Sequence, residues 1–212
     1  MFRAVLLTAM LLLGSSAESG AGEYFEVTKD SLIGSQVGSL VRVIDPGVEG
    51  LTYHAYEAGN RLRLFAGRAD GTDEWIVPTV PVYLCPTLEM FAGLGWKFPD
   101  DDAGNSRFAL PVQAEVVTVL AGTFTSAWRV EVTRDDQPSV VQLTLWFVAD
   151  VGIVKQVEWI GGVPVWKSEL QSFDVEGRGF FPLVVGNWWQ YADVTVPVEP
   201  RSLGGLKGQF LR

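Results

Sequence analysis

Few residues in this chain have the chemistry for catalysis. There is one histidine, His54, and one cysteine, Cys85. An imidazole titrates near neutrality and suits general-base work. Such a base needs an orienting partner, and no recognisable partner accompanies His54, which sits between Tyr53 and Ala55 in an alternating run. One imidazole also cannot build a histidine-rich metal site. The reading is a structural or surface histidine. A reactive thiolate wants an electropositive, partly exposed setting. Cys85 lies in Val82-Tyr83-Leu84-Cys85-Pro86, an apolar setting where a free cysteine packs as a small hydrophobe. No Gly-x-Ser-x-Gly elbow and no Ser-x-x-Lys pair is present.

Two further groups have donors at close spacing. Asp100, Asp101 and Asp102, with Asn105, offer oxygen ligands to a hard cation such as calcium. They lack the spaced order and terminal glutamate of the twelve-residue calcium loop, so a solvated acidic turn is the better reading. Asp100 and Asp102 as paired carboxylates for glycoside chemistry would lack an aromatic platform. The second group is aromatic. Eight tryptophans stand at 75, 96, 128, 146, 159, 166, 188 and 189. Such rings line ligand grooves and equally pack sheet faces with no ligand. Trp146 and Trp166 fall in registers that also hold polar residues. With Trp188, Trp189 and Tyr191 they form the candidate ligand-binding set. No cofactor motif is found.

The elements that must position these groups are strands. In residues 126–134, Trp128, Val130 and Val132 alternate with Arg129, Glu131 and Thr133. That is period two with one apolar face. In residues 140–148, Val141, Leu143, Leu145 and Phe147 share a register, opposite Val140, Gln142, Thr144, Trp146 and Val148. A third run covers 152–159. Asp135-Asp136-Gln137-Pro138 and Ala149-Asp150-Val151-Gly152 are the connections. Residues 116–158 are therefore read as an antiparallel meander.

Around it the chain divides as follows. Residues 1–17 carry Arg3, an apolar run and Ser15-Ser16-Ala17. This is the pattern of a signal peptide, too short for a membrane span, with cleavage between Ala17 and Ala21. Residues 18–50 read as a linker and a poorly defined segment, with 31–38 a loop or short helix. Residues 51–196 read as the antiparallel β domain. Within it, 51–56 and 61–65 form a hairpin, 74–77 a short strand, and 78–86 an edge strand or extended connection rich in proline. Gly161-Gly162-Val163-Pro164 reads as a turn before a further run, 165–173. Residues 197–212 read as a flexible, glycine-containing tail.

The formal charge is −9, with one cysteine and so no internal disulfide. An acidic chain is a poor partner for nucleic acid or anionic membrane surfaces, and no later stretch is long and apolar enough to span a bilayer.

Three stretches carry a resemblance. Val117-Thr118-Val119-Leu120-Ala121-Gly122-Thr123-Phe124 resembles a "VTVPAGTF" element. Residues 146–155, WFVADVGIVK, resemble "WYAPGVGLVK". Residues 181–191 resemble "FPLxxGxxWxY", and Gly93-Leu94-Gly95-Trp96-Lys97-Phe98 fits the same glycine–tryptophan–aromatic frame. These elements are similar to those of a group of bacterial exported or lipoprotein-like β-proteins. The chain departs from them at Leu120, where proline is usual, and at Asp150, where glycine is usual. Asp tolerates left-handed backbone, so the turn at 150 is expected to survive. In that group the last element opens a unit. Here it either begins a further unit or closes the same sheet as a final strand, and the second is favoured because an unfinished unit would expose Trp188, Trp189 and Tyr191.

The expected fold is all-β: one curved antiparallel meander sheet, or incomplete half-barrel, of roughly ten strands. The expected function is an exported, non-enzymatic binding or scaffold protein; if it binds a small ligand, the concave apolar face is where an apolar one is held. The alternatives are an envelope or surface protein-interaction module using residues 188–191, and a carboxylate-dependent hydrolase.

Overall fold

Period-two alternation becomes sheet along most of the described residues. The computed structural model describes residues 23–33, 36–45, 48–57, 61–69, 82–86, 92–98 and 104–194. The first strands are β1 (Tyr24–Ile33), β2 (Gln36–Asp45), β3 (Val48–Glu57), β4 (Arg61–Ala69), β5 (Val82–Pro86) and β6 (Trp96–Phe98). They are followed by β7 (Arg107–Val119), β8 (Gly122–Arg134), β9 (Gln137–Val148), β10 (Gly152–Ile160), β11 (Val163–Asp174) and β12 (Trp188–Asp193). No helix occurs among the described residues.

All twelve strands join one antiparallel sheet in the order β5-β4-β3-β2-β1-β12-β11-β10-β9-β8-β7-β6. β1 lies in mid-sheet, and the following strands step out to one edge at β5. It resumes at the opposite edge with β6 and steps back until β12 lies against β1, where Phe25 opposes Trp189. Residues of the two edge strands come within 8 Å, Cα to Cα. No ladder joins them, so the sheet is a curled meander and not a closed barrel.

The turns follow the local chemistry. Gly161 and Gly162, at φ 59° and 76°, make the two-residue turn that matches strand twist. Asp150 takes φ 62°, the left-handed conformation expected at that position. The β8–β9 turn is Asp135-Asp136 alone, and Gln137 and Pro138 already belong to β9. Likewise Val163 and Pro164 belong to β11, with Pro164 opposite Trp159 at a register shift. A proline is tolerated where a bulge interrupts the ladder.

The sheet begins at Tyr24, not at residue 51. Residues 31–38, read from sequence as loop or short helix, lie in β1 and β2 except for 34–35, which are outside the description. Gly and Ser hide the alternation there, and pairing across Ser31↔Gly38 and Leu32↔Val37 decides the conformation. The final aromatic element does close the sheet: β12 is bonded on both sides, to β1 and β11. The expected strand at 74–77, the signal segment and the residues after 194 lie outside the described residues.

Register separates the two faces. Trp96, Ala109, Val132, Leu143, Glu158 and Trp166 form one cross-strand row. The next row runs Pro111, Val130, Leu145, Gln156, Ser168 and Asp193. Through Tyr191, Trp189 and Phe25 the same face continues to Val43, Val41, Thr52 and His54. This core face is buried in strand after strand: Val41, Val130, Val132, Leu170 and Trp189 are all inaccessible. Each such side chain contributes about 1.5–3 kcal/mol by leaving water.

Residues 175–187, between β11 and β12, close one end of this face. Val27 N–H donates to Asn187 O at 2.8 Å, and Gly186 N–H to Val27 O at 2.9 Å. Ser39 Oγ donates to Leu183 O at 3.3 Å. Phe180 packs edge-on against Phe147, and Phe181 stacks on Trp189 at 4.5 Å.

Candidate ligand-binding face

The five aromatic residues selected from the sequence do not share one surface. Trp189 and Tyr191 lie on the core face and are spent internally. Trp189 Nε1 donates to Val151 O at 2.5 Å, and Tyr191 Oη donates to Ile153 O at 2.7 Å. Burial pushes the Tyr191 phenol far up, and the nearby Glu23 carboxylate adds to the effect. Trp166 is on the same face, half-buried, with Nε1 donating to Asp193 Oδ1 at 3.1 Å.

Trp146 and Trp188 face the other way. Trp188 stacks on Tyr24 at 6.0 Å. Trp146 Nε1 donates to Glu115 Oε1 at 2.6 Å, and the Lys155 ammonium sits 4.9 Å above its ring. The Trp146 bond, then Gln113, hold the Glu115 carboxyl below its usual range. Burial, then the neighbouring Lys167, lower the Lys155 ammonium. The tip of the β7–β8 hairpin folds over this outer face, where Ala121 N–H donates to Leu170 O at 2.8 Å. Val117 and Val119 pack in the cluster that holds Trp146 and Val157. Both faces of β9 are therefore buried from Leu143 to Phe147.

His54 is fully buried on the core face. Its Nε2 lies 2.8 Å from Thr52 Oγ1, and Nδ1 has no partner among the described residues. Burial alone brings its pKa down to about 3, so the ring is neutral at physiological pH. Asn105 Oδ1 accepts from Arg134 Nη2 at 3.1 Å, which occupies that oxygen with a cation already in the chain. Asp100, Asp101 and Asp102 lie outside the described residues, as does the Cys85 side chain, although Cys85 itself falls in β5. Among the described residues no group of three or more His, Cys, Asp or Glu is placed to hold a metal ion.

The sequence reading missed a polar row on the core face. Gln156 is 4 % exposed and Ser168 0 % exposed, and the two are register partners across β10 and β11. Asp193 follows Ser168 in the row. Burial raises the Asp193 carboxyl, against the lowering effect of the Trp166 bond. The available signal was polar side chains at positions that the register assigns to the apolar face. A separate open cleft of about 360 Å³ lies beside the closed end, lined by Thr123, Thr125 and Ser126 together with Phe124, Trp128 and Phe180.

The chain was compared with protein-family models, curated proteins and solved structures, and none of them matches it.

Proposed function

We propose that this protein is an exported, non-enzymatic carrier that holds a small apolar molecule against the core face of its curled sheet. One observation carries the reading. The curled sheet buries a continuous apolar and aromatic face, and the one histidine on it is neutral and sealed. Large apolar faces with few polar groups suit recognition by shape and area rather than by reaction chemistry. Export rests on the signal-peptide pattern of residues 1–17 and on the likeness of the 117–124, 146–155 and 181–191 elements to those of exported β-proteins.

The interaction-module alternative fares less well at residues 188–191. Their backbone is paired on both sides, and Trp189 and Tyr191 are buried. That segment has no free edge to offer a partner.

The test is mass spectrometry of an organic extract of the purified protein, beside a heat-unfolded control. The expected result is a stoichiometric apolar molecule released only on unfolding. An extract without one, from protein purified directly out of its native compartment, overturns the carrier reading.

A further inference from the structure

Ser168 Oγ and Gln156 Oε1 are both sealed from water and both lack a hydrogen-bond partner among the described residues. A buried polar atom left unpaired costs about 1–3 kcal/mol, and native proteins keep few of them. Here two lie directly opposite each other on one face. Trp96 Nε1, in the adjoining row of that face, is a third. Unspent hydrogen-bonding capacity concentrated on one face is where the polar group of a ligand would be satisfied.

The row continues to Asp193, an exposed residue whose partly desolvated carboxylate already accepts from Trp166. Neighbouring strands lie about 4.8 Å apart, so amide, hydroxyl and carboxylate span roughly 10 Å. That is the size of a small head group. Leu145 opposes Gln156 on one side, and Leu170 and Tyr191 oppose each other in the row toward the closed end, while the adjoining row on the other side holds Glu158 beside Trp166.

We propose that Gln156, Ser168 and Asp193 bind the neutral, hydroxylated head group of an amphipathic ligand whose chain lies along the adjoining apolar part of the core face. This rests on the carrier reading and specifies its ligand class. A hydroxyl both donates and accepts, so it satisfies the Ser168 hydroxyl and either end of the Gln156 amide. An anionic head group would lose its hydration there and face the Asp193 carboxylate, and a cation seated at Gln156 and Ser168 would meet that carboxylate only at the far end of the row. Only the exposed Asp193 end of the row tolerates further polarity, and there a second hydroxyl donates to the carboxylate.

The probes are 1-monolauroylglycerol and methyl laurate, which share a chain and differ in head-group hydroxyls, with dodecylamine as the charged counterpart. Binding to the delipidated full chain is followed by tryptophan fluorescence and calorimetry below micelle-forming concentrations. The expected result is that monolauroylglycerol binds about tenfold or more tighter than methyl laurate, the gain of one to two hydrogen bonds. Ser168→Ala and Gln156→Met should each remove most of that preference and leave methyl laurate unchanged. Both variants should keep or raise the ligand-free melting temperature, because each deletes an unsatisfied atom. A residue with a purely structural role would lower it. Equal affinities of the two esters overturn the head-group site while the carrier reading stands, an ordered water then serving the row. Tighter binding of dodecylamine overturns the neutral head group. Failure of all three probes, together with a native extract free of apolar ligand, overturns the carrier reading and this inference with it.

Discussion

Asp150 and Gly179 are tied to each other twice. Gly179 N–H donates to Asp150 Oδ1 at 2.8 Å, and Asp150 N–H donates to Gly179 O at 2.7 Å. The pair joins the β9–β10 turn to residues 175–187, the segment that closes one end of the core face. Asp150 holds φ 62°, a conformation that costs a side chain of ordinary shape about 1–3 kcal/mol. The side chain that suffers this backbone is also the one that makes the tether.

Asp150→Ala should therefore lose twice, through the hydrogen bond that goes and through a left-handed backbone that alanine tolerates less well than aspartate. The expected cost is about 2 kcal/mol. Asp150→Gly relieves the strain and loses the same bond, so it should fall between the native protein and the alanine variant. Urea midpoints at constant slope measure both. An alanine variant as stable as the glycine variant would show that the backbone conformation at 150 carries no strain.

His54 makes stability depend on pH. Its folded pKa, about 3, lies below the unfolded value of about 6.5. Between these values the unfolded chain binds the proton and the folded chain does not, so stability rises with pH across that window. On acidification the contribution is lost from about pH 6.5 downward, at up to about 1.4 kcal/mol per pH unit. Glu115, held below its usual range, acts in the same direction at lower pH, and the raised Asp193 acts against it. The specific prediction is a difference. His54→Gln, which retains a polar partner for Thr52, should flatten the stability profile between pH 6 and 4 by about one proton's worth. Parallel profiles for variant and native protein would contradict it.

Strand existence was legible wherever residues alternate strongly, as in Trp128–Val130–Val132 and Leu143–Leu145–Phe147. It was illegible at Ser31–Gly38, where small side chains carry no period and partner strands impose the structure. The cost of exposing Trp188, Trp189 and Tyr191 favoured a closing role for β12 over an unfinished unit, and pairing on both sides decides it. The face of each aromatic residue did not follow as simply, because bulges shift the register. One lies between Ile153 and Lys155, and another between Leu170 and Ser172. Trp146 and Trp166 both keep polar company in their runs, yet they end on opposite faces. The Gln156–Ser168 row was hidden for the reverse reason: each is unremarked in its own run, and they become a pair only through cross-strand pairing.

Asn187 should be among the least replaceable polar residues. It is 3 % exposed, and its side chain makes three bonds within residues 175–187. Nδ2 donates to Glu176 O at 2.8 Å and Pro182 O at 2.9 Å, while Oδ1 accepts from Glu176 N–H at 2.9 Å. Asn187→Asp keeps the shape but replaces two donated bonds by an acceptor facing acceptors. A loss of about 3 kcal/mol or more is expected near neutral pH, easing as the new carboxyl is protonated in acid. Equal midpoints for Asn187→Asp and native protein at pH 7 would rule this out.

Trp188 and Trp189 offer the sharpest contrast, because adjacent residues of a strand face opposite ways. Trp189 is 0 % exposed, stacked on Phe181 and bonded to Val151 O. Trp188 is half-buried and touches Tyr24 across the β1–β12 pair. Trp189→Ala should cost about 3–5 kcal/mol, the range for deleting a large buried aromatic. It should also loosen residues 175–187, read as faster amide exchange at Gly186, whose N–H bonds Val27 O. Trp188→Ala should cost about 1 kcal/mol, the scale of an exposed aromatic cross-strand pair, with exchange at Gly186 unchanged. Trp189→Phe keeps the ring but not the indole donor, so it should land between the two. If Trp188→Ala proved the costlier change, the assignment of β12 faces, and with it the core face itself, would be reversed.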